Sequence, residues 1–240
     1  MEEGSRPVES GWVIAIDGPA AAGKSTVALE VARALGCRLI DSGAMYRAVT
    51  LVAIECGARV DDFDRLAALA GEVAACYRVV EVPGRAPSVF LGEREVTGEI
   101  RTPSVGELVS PVSAVPAVRR ELVDLQRSMS AGGDIVVEGR DIGTVVFPDA
   151  DLKVFLDASP AERAQRRLLE LDGKGLDVTA GQVEGEIDMR DRMDSSRESS
   201  PLLLAPDAIP IDTTGKTVQQ VVDRIVEAAR GRGIWPRGVD

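Results

Sequence analysis

Gly18-Pro19-Ala20-Ala21-Ala22-Gly23-Lys24-Ser25 fits the pattern G-x-x-x-x-G-K-S, and it constrains the fold more than any other stretch of the chain. Ahead of it lies Trp12-Val13-Ile14-Ala15-Ile16, a short apolar run of β-forming residues that reads as a buried strand. Behind it, Thr26 to Leu35 places Val27, Val31, Ala34 and Leu35 at helical spacing. Strand, glycine loop and helix is the order that a phosphate-binding loop requires. Gly18 and Gly23 permit a tight backbone turn, which aims successive N–H groups at phosphate oxygens. The helix N-terminus adds partial positive charge at the same place. On this reading Lys24 reaches the β- and γ-phosphates and the Ser25 hydroxyl ligates Mg²⁺. The alternative, a glycine turn before an ordinary helix, explains the spacing but not the context.

A chain of 240 residues suits one α/β domain with insertions. Its net charge of −11 argues against general binding to nucleic acid or to an anionic membrane. An acidic chain that binds phosphates must gather its cations locally. Most of its basic residues are Arg, which suits forked contacts with phosphate, although codon usage can produce the same bias. There is no His, which removes His triads, His metal sites and His bases. Cys37, Cys56 and Cys76 are odd in number and form no C-x-x-C pair, so neither a disulfide framework nor a zinc site is expected. Reduced thiols fit a cytosol. Met1 to Gly11 is polar and unlike a signal peptide, and no apolar run reaches the length of a membrane span. The expectation is a soluble, cytoplasmic, monomeric enzyme.

Cys37-Arg38-Leu39-Ile40 reads as a second strand and Ala44 to Cys56 as a helix, with Ser42 as its N-cap. Arg47 is either a solvated helix charge or a site residue. A further helix carries Phe63, Leu66, Leu69 and Val73. The texture then changes to three short β-like runs, Tyr77 to Val82, Ser88 to Leu91 and Glu95 to Thr97, separated by turns at Pro83-Gly84 and Gly92-Glu93. Helices follow over Arg101 to Ser110 and Pro116 to Met129, with the break placed between Pro111 and Pro116. Ile135-Val136-Val137 is a third core strand, followed by Glu138-Gly139-Arg140-Asp141-Ile142-Gly143-Thr144. Charged residues at the carboxyl end of such a strand lie where open α/β sheets bind ligands, although a loop salt bridge gives the same pattern. Val154-Phe155-Leu156 is a fourth strand. Ser159-Pro160 caps a helix bearing Arg163, Arg166 and Arg167, and Gly173-Lys174-Gly175 follows as a joint, a combination that suits a lid over phosphates. Thr179 to Asp191 is helical. If that helix continues, Arg190, Asp194 and Arg197 share one face, as an ion-pair ladder or as a site. Pro210 places the fifth strand, Ala208 to Ile211, at an edge. Val218 to Arg230 closes the fold, and 231–240 reads as a loose tail.

Taken together, the glycine loop, Asp41-Ser42-Gly43-Ala44-Met45-Tyr46-Arg47, Gly98-Glu99-Ile100-Arg101-Thr102, Glu138 to Pro148, and Arg190-Asp191 with Asp194 and Arg197 resemble the bacterial cytidylate kinase family of nucleoside-monophosphate kinases. The resemblance runs from Trp12 to Arg230. It implies a P-loop kinase domain over 12–230 with a five-stranded parallel core (12–76, 131–158 and 180–230), a monophosphate-binding insert (77–130) and a lid (159–179), between a flexible N-terminus (1–11) and a C-terminal tail (231–240). It implies transfer of the ATP γ-phosphoryl group to CMP or dCMP with Mg²⁺. By matching position, Gly18 to Thr26 with Arg163, Arg166 and Arg167 would hold ATP. Ser42, Arg47 and Arg140, with Tyr46, Arg101 and Gly139, would hold the acceptor. Ser110, Arg119 and Asp141 would read cytosine, and Asp194 would contact the sugar. Lys24, Arg140, Arg190 and Arg197 would surround the transferring group. Some family members carry Asp where this chain has Glu138. A phosphate-oxygen nucleophile is already anionic, so a chain without His is not handicapped in phosphoryl transfer. Two rivals are weaker. A GTPase switch needs an N-K-x-D motif, and this chain has no Asn. A kinase for another small acceptor shares the loop but not the β insert or the Arg190/Asp194/Arg197 pattern.

Overall fold

The computed structural model describes residues 11–82, 86–173, 175, 176 and 178–235. Five strands form a parallel sheet: β1 (Val13–Asp17), β2 (Arg38–Asp41), β6 (Ile135–Gly139), β7 (Leu152–Asp157) and β8 (Ile209–Asp212), in the order β2-β6-β1-β7-β8. The register pairs Val13 with Ile135 and Ile14 with Leu152, so β1 is central. Side chains alternate across the sheet with period two. Ile14, Ile16 and Val136 pack with α1 (Lys24–Leu35) and α8 (Val218–Gly231), whereas Ala15, Ile135 and Val137 face the opposite cluster. That second cluster is built by α2 (Ser42–Glu55), α3 (Phe63–Cys76), α4 (Pro103–Ala114) and α5 (Pro116–Ser130). The strand carrying Pro210 is an edge, as expected, because proline cannot donate to a further neighbour.

The three β-like runs form a separate antiparallel sheet, β3 (Tyr77–Val80), β4 (Ser88–Leu91) and β5 (Arg94–Glu95). Of its two expected turns, Pro83-Gly84 lies outside the described residues. Arg94 ties this sheet to α2 through Glu55 and to Glu99. The α6 (Pro160–Asp172) and α7 (Ala180–Ser196) helices pack on each other over a small cluster of Ala164, Leu171, Val183 and Ile187. Lys174 lies outside the described residues, and so do 1–10 and 236–240.

Several local expectations are corrected. The N-cap of α2 is Asp41, whose carboxylate accepts from Ala44 N at 2.9 Å; Ser42 is the first helical residue, and its hydroxyl donates to Glu138 O at 2.7 Å. A carboxylate is at least as good a cap as a hydroxyl, so either neighbour satisfied the pattern. Pro111 does not end α4. The helix runs through it to Ala114, held by buried Val105, Val109 and Val112, and it stops at Val115 (ψ 117°), the residue that Pro116 drives out of the helical region. The helix expected from Arg101 is a 3₁₀ turn over Glu99–Arg101 before α4 begins. Ile234, within the expected loose tail, is buried in the α1/α8 cluster.

Candidate active site

At the carboxyl edge of the parallel sheet, β1 opens into the glycine loop. Gly18 has φ 149°, and a Cβ there would lie 2.0 Å from Leu156 O, so the loop leaves the sheet against β7 through a position that excludes any side chain. Gly23 (φ 90°) turns the chain into α1, which starts at Lys24. A cleft of about 700 Å³ lies over this loop. It is lined by the loop from Ala20 to Thr26, by Ser42, Tyr46 and Arg47 of α2, by Arg101 of the 3₁₀ turn, by Ser110 of α4 and by Arg119 of α5. Gly139, Arg140 and Asp141 beyond β6, Arg166 and Arg167 of α6, and Arg190, Asp194 and Arg197 at the end of α7 complete it. Of the residues selected from sequence, only Gly18, Pro19 and Arg163 stay out of its walls.

The cleft gathers cations inside an acidic protein. Lys24 is 6 % exposed and donates to Pro19 O at 2.6 Å. Burial lowers its pKa well below the ordinary value, and Arg140 adds to that. Arg190 is brought down to about 9 by burial, with Arg140 and Arg47 pushing the same way. Its buried Nε has no protein partner, and neither has Nη2 of Arg197. Such mutual pressure among cations with free donors is relieved by an anion. Asp194 is a carboxylate buried among them. Burial pushes it up, but Arg140 (2.9 Å from Nε), Arg197 and Arg190 together hold it below the usual range.

A second end of the cleft holds Arg119 and Asp141, a buried ion pair. The Arg119 guanidinium lies 5.4 Å from the centroid of the Tyr46 ring, and its Nη1 donates to Ser113 O at 3.4 Å. Arg119 Nε and Tyr46 Oη are buried without protein partners. The Ser113 hydroxyl donates to Ser110 O at 2.9 Å and accepts from Arg197 at 3.5 Å. A Cβ at Gly139, between the two ends, would stand 2.6 Å from Ser42 Oγ and 2.7 Å from Ile142 Cδ1, so a side chain there would displace one of them.

Glu138, at the end of β6, joins this site more closely than its sequence neighbours suggest. Its Oε2 accepts from Ser25 Oγ at 3.0 Å, and its Oε1 is buried without a partner. Burial pushes its pKa up to about 7, with Asp41 adding and Lys24 opposing. A serine hydroxyl and a carboxylate with an unused oxygen are the hard-oxygen donors that Mg²⁺ takes beside substrate phosphates. Among the described residues no group of three or more His, Cys, Asp or Glu could hold a metal by itself.

Arg163 is held beneath the loop. It donates to Ala20 O and Ala158 O, each at 3.2 Å, and pairs with Asp191, which in turn accepts from Ala20 N at 3.3 Å. Arg166 bonds both the hydroxyl and the carbonyl of Thr213. Sequence reasoning gave no role to Asp17, Ser113, Asp191 or Thr213. Asp17 and Thr213 were findable, since each sits at the carboxyl end of a core strand.

A family model described as cytidylate kinase matches residues 14–231. The cytidylate kinase of Pelotomaculum thermopropionicum is 51 % identical over 213 residues, covering 89 % of this chain and 93 % of that protein. The cytidylate kinase of Carboxydothermus hydrogenoformans is 47 % identical over 215 residues, 89 % of this chain and 95 % of that protein. Among solved structures, an uncharacterised protein from Eubacterium ventriosum shares the fold with a TM-score of 0.52 at 14 % identity, covering 92 % of this chain and 98 % of that one.

Proposed function

The chain belongs to the cytidylate kinase family, and from that premise we propose how its cleft divides the work of phosphorylating CMP. The chain is a nucleoside-monophosphate kinase with a P-loop; ATP and CMP or dCMP are its substrates. The observation that carries the division is the polarity of the cleft. Surplus cations with unpartnered donors surround Lys24, and a buried carboxylate–guanidinium pair closes the far end.

In this reading the loop from Ala20 to Thr26 holds the donor phosphates, with Arg166 and Arg167 above them. Arg47, Arg101, Arg140 and Ser42 orient the acceptor phosphate in line with the donor. Lys24, Arg140, Arg190 and Arg197 bear on the transferring group, whose charge is spread in a loose transition state. These cations are preorganised by burial and by Asp194, so they need not reorient as the charge develops. Ser25 and Glu138 would hold Mg²⁺, which would supply positive charge against the phosphates. Asp141, Arg119 and Ser110 read the base, and Asp194 meets the sugar. In this reading the chain works as a monomer in the cytoplasm. No helix among the described residues is long and apolar enough to cross a membrane.

The reading is tested by initial rates with CMP, dCMP, UMP, AMP and shikimate at saturating ATP and Mg²⁺. CMP and dCMP are expected to exceed the others in kcat/KM by orders of magnitude, because a pocket built on buried polar partners rejects a base that leaves them unpaired. Comparable values for AMP or shikimate would overturn it.

The lid is shorter in this proposal than the span 159–179. Arg163 and Arg166 moor the first turns of α6 to the loop and to Thr213, and Ser159 N donates to Thr214 Oγ1. Closure then falls to the stretch from Arg167 to Gly173. Hydrogen exchange with a bisubstrate analogue is expected to slow the amides of 167–173 while those of 163–166 stay as slow as in the free enzyme. Equal exchange throughout α6, with and without the analogue, would remove the lid.

A further inference from the structure

Asp17 ends the central strand, four per cent exposed, and belongs to neither the phosphate loop nor any wall of the cleft. Both of its carboxylate oxygens are used. Oδ1 accepts from Ile142 N at 2.8 Å and Oδ2 from Gly143 N at 2.7 Å. These two N–H groups open a single π-helical turn, Ile142–Val146, closed by Val146 N to Asp141 O and Phe147 N to Ile142 O. The first amides of any helical turn lack partners inside it, and an acidic residue at the N-cap ordinarily supplies them. The N-cap here is Asp141, yet its side chain makes no capping bond and pairs with Arg119 instead. A carboxylate from a different strand has taken over the local one's duty.

We propose that Asp17 is a positioning residue for base recognition: by capping the 142–146 turn from β1, it leaves the Asp141 carboxylate free to face the cleft. Without it, Asp141 is the nearest acid able to cap its own turn, and it would swing away from Arg119 to do so. A Cβ at Gly143 would stand 3.4 Å from Asp17 Oδ2 and 3.1 Å from the Lys153 stem, so a side chain there would crowd the turn where the carboxylate caps it. The arrangement also links the two halves of the site, because Gly18 follows Asp17 directly and Asp141 precedes Ile142.

The charged groups around Asp17 are Asp141 beyond β6, Lys24 of α1 and Lys153 of β7, whose Nζ turns away to Asp207. Burial raises the Asp17 pKa to about 6, and the two backbone bonds oppose the rise. A raised acid pKa means that this group favours the fold most below its unfolded pKa, and that the contribution is lost as pH rises through about 6. The ionised form is therefore kept at neutral pH against stability. Position, rather than stability, is what it supplies.

This inference rests on Asp141 as the reader of cytosine, and the experiment separates the two. Asp17→Asn keeps the shape but turns one acceptor into a donor facing an N–H. KM for CMP is expected to rise about tenfold or more, with KM for ATP within about twofold and the CMP/UMP ratio of kcat/KM lowered. Unchanged KM values, or equal rises for CMP and ATP, would overturn the proposal, since a general loosening of the loop moves both. In the wild-type chain, the Ile142 and Gly143 amides are expected to exchange slowly with solvent, because each donates to a buried carboxylate. Fast exchange at both amides would overturn the clamp even if Asp17→Asn failed to fold. If the amides are protected but Asp141→Asn leaves the CMP/UMP ratio alone, the base-reading role fails while the clamp stands.

Discussion

Lys24→Ala is expected to lower kcat for CMP phosphorylation by about a hundredfold or more, the usual cost of removing one preorganised charge from a transition state. The fold should be untouched. Burial lowers the Lys24 pKa, Arg140 and Arg190 push the same way, and its ammonium donates to the Pro19 carbonyl. Removing a cation from a crowd of cations relieves repulsion, so Tm is expected to hold or rise while activity collapses. The opposite pairing would assign Lys24 to stability: a large fall in Tm with a proportionate loss of rate. Near-normal turnover by a folded variant would take the loop out of the mechanism. Single-turnover kinetics and a thermal melt on the same sample decide the matter.

The sequence made the frame legible because its signals are local. An apolar run, two glycines and a helical pattern specify β1, the loop and α1, and the same logic found each core strand and the antiparallel sheet. The residues proposed for the acceptor came from resemblance to a family and not from periodicity. Spacing alone left Arg190, Asp194 and Arg197 as a ladder or a site. It took the continuation of α7 to Ser196 and the packing against Arg140 to bring them to one place. What stayed hidden is non-local. Nothing in the neighbourhood of Asp17 in sequence shows that its partners are 125 and 126 positions away. Likewise Arg163 reads as one of three lid arginines, whereas its position on α6 turns it toward Asp191 and Ala20. Pro111 misled for the converse reason. A local breaker was overridden by the buried valines on the same helix.

Asp141→Asn is the second large effect, and it bears on the choice of base. Cytosine offers an amino donor at the position where uracil offers a carbonyl acceptor. An ionised carboxylate can only accept, so it attracts the first and repels the second. Its neighbour in sequence, Arg140, suggests a rival role for Asp141 as a mere partner of that guanidinium. In the structure Arg140 is engaged by Asp194, and Asp141 pairs with Arg119 over the Tyr46 ring. The competing role is thus orientation of Arg119. Asp141→Ala would confuse the two, since it strands a buried guanidinium at a cost of about 3 kcal/mol or more to the fold. The amide variant keeps the shape and one oxygen for Arg119, while its NH₂ can donate to the uracil carbonyl. The expected result is a fall of about a hundredfold in kcat/KM for CMP, on the order of 3 kcal/mol, with a much smaller change for UMP, so that the CMP/UMP ratio drops. If Asp141 only orients Arg119, both substrates lose in parallel and the ratio stays where it was. Parallel assays at one ATP concentration, with Tm recorded for each variant, distinguish recognition of the amino group from upkeep of the pocket.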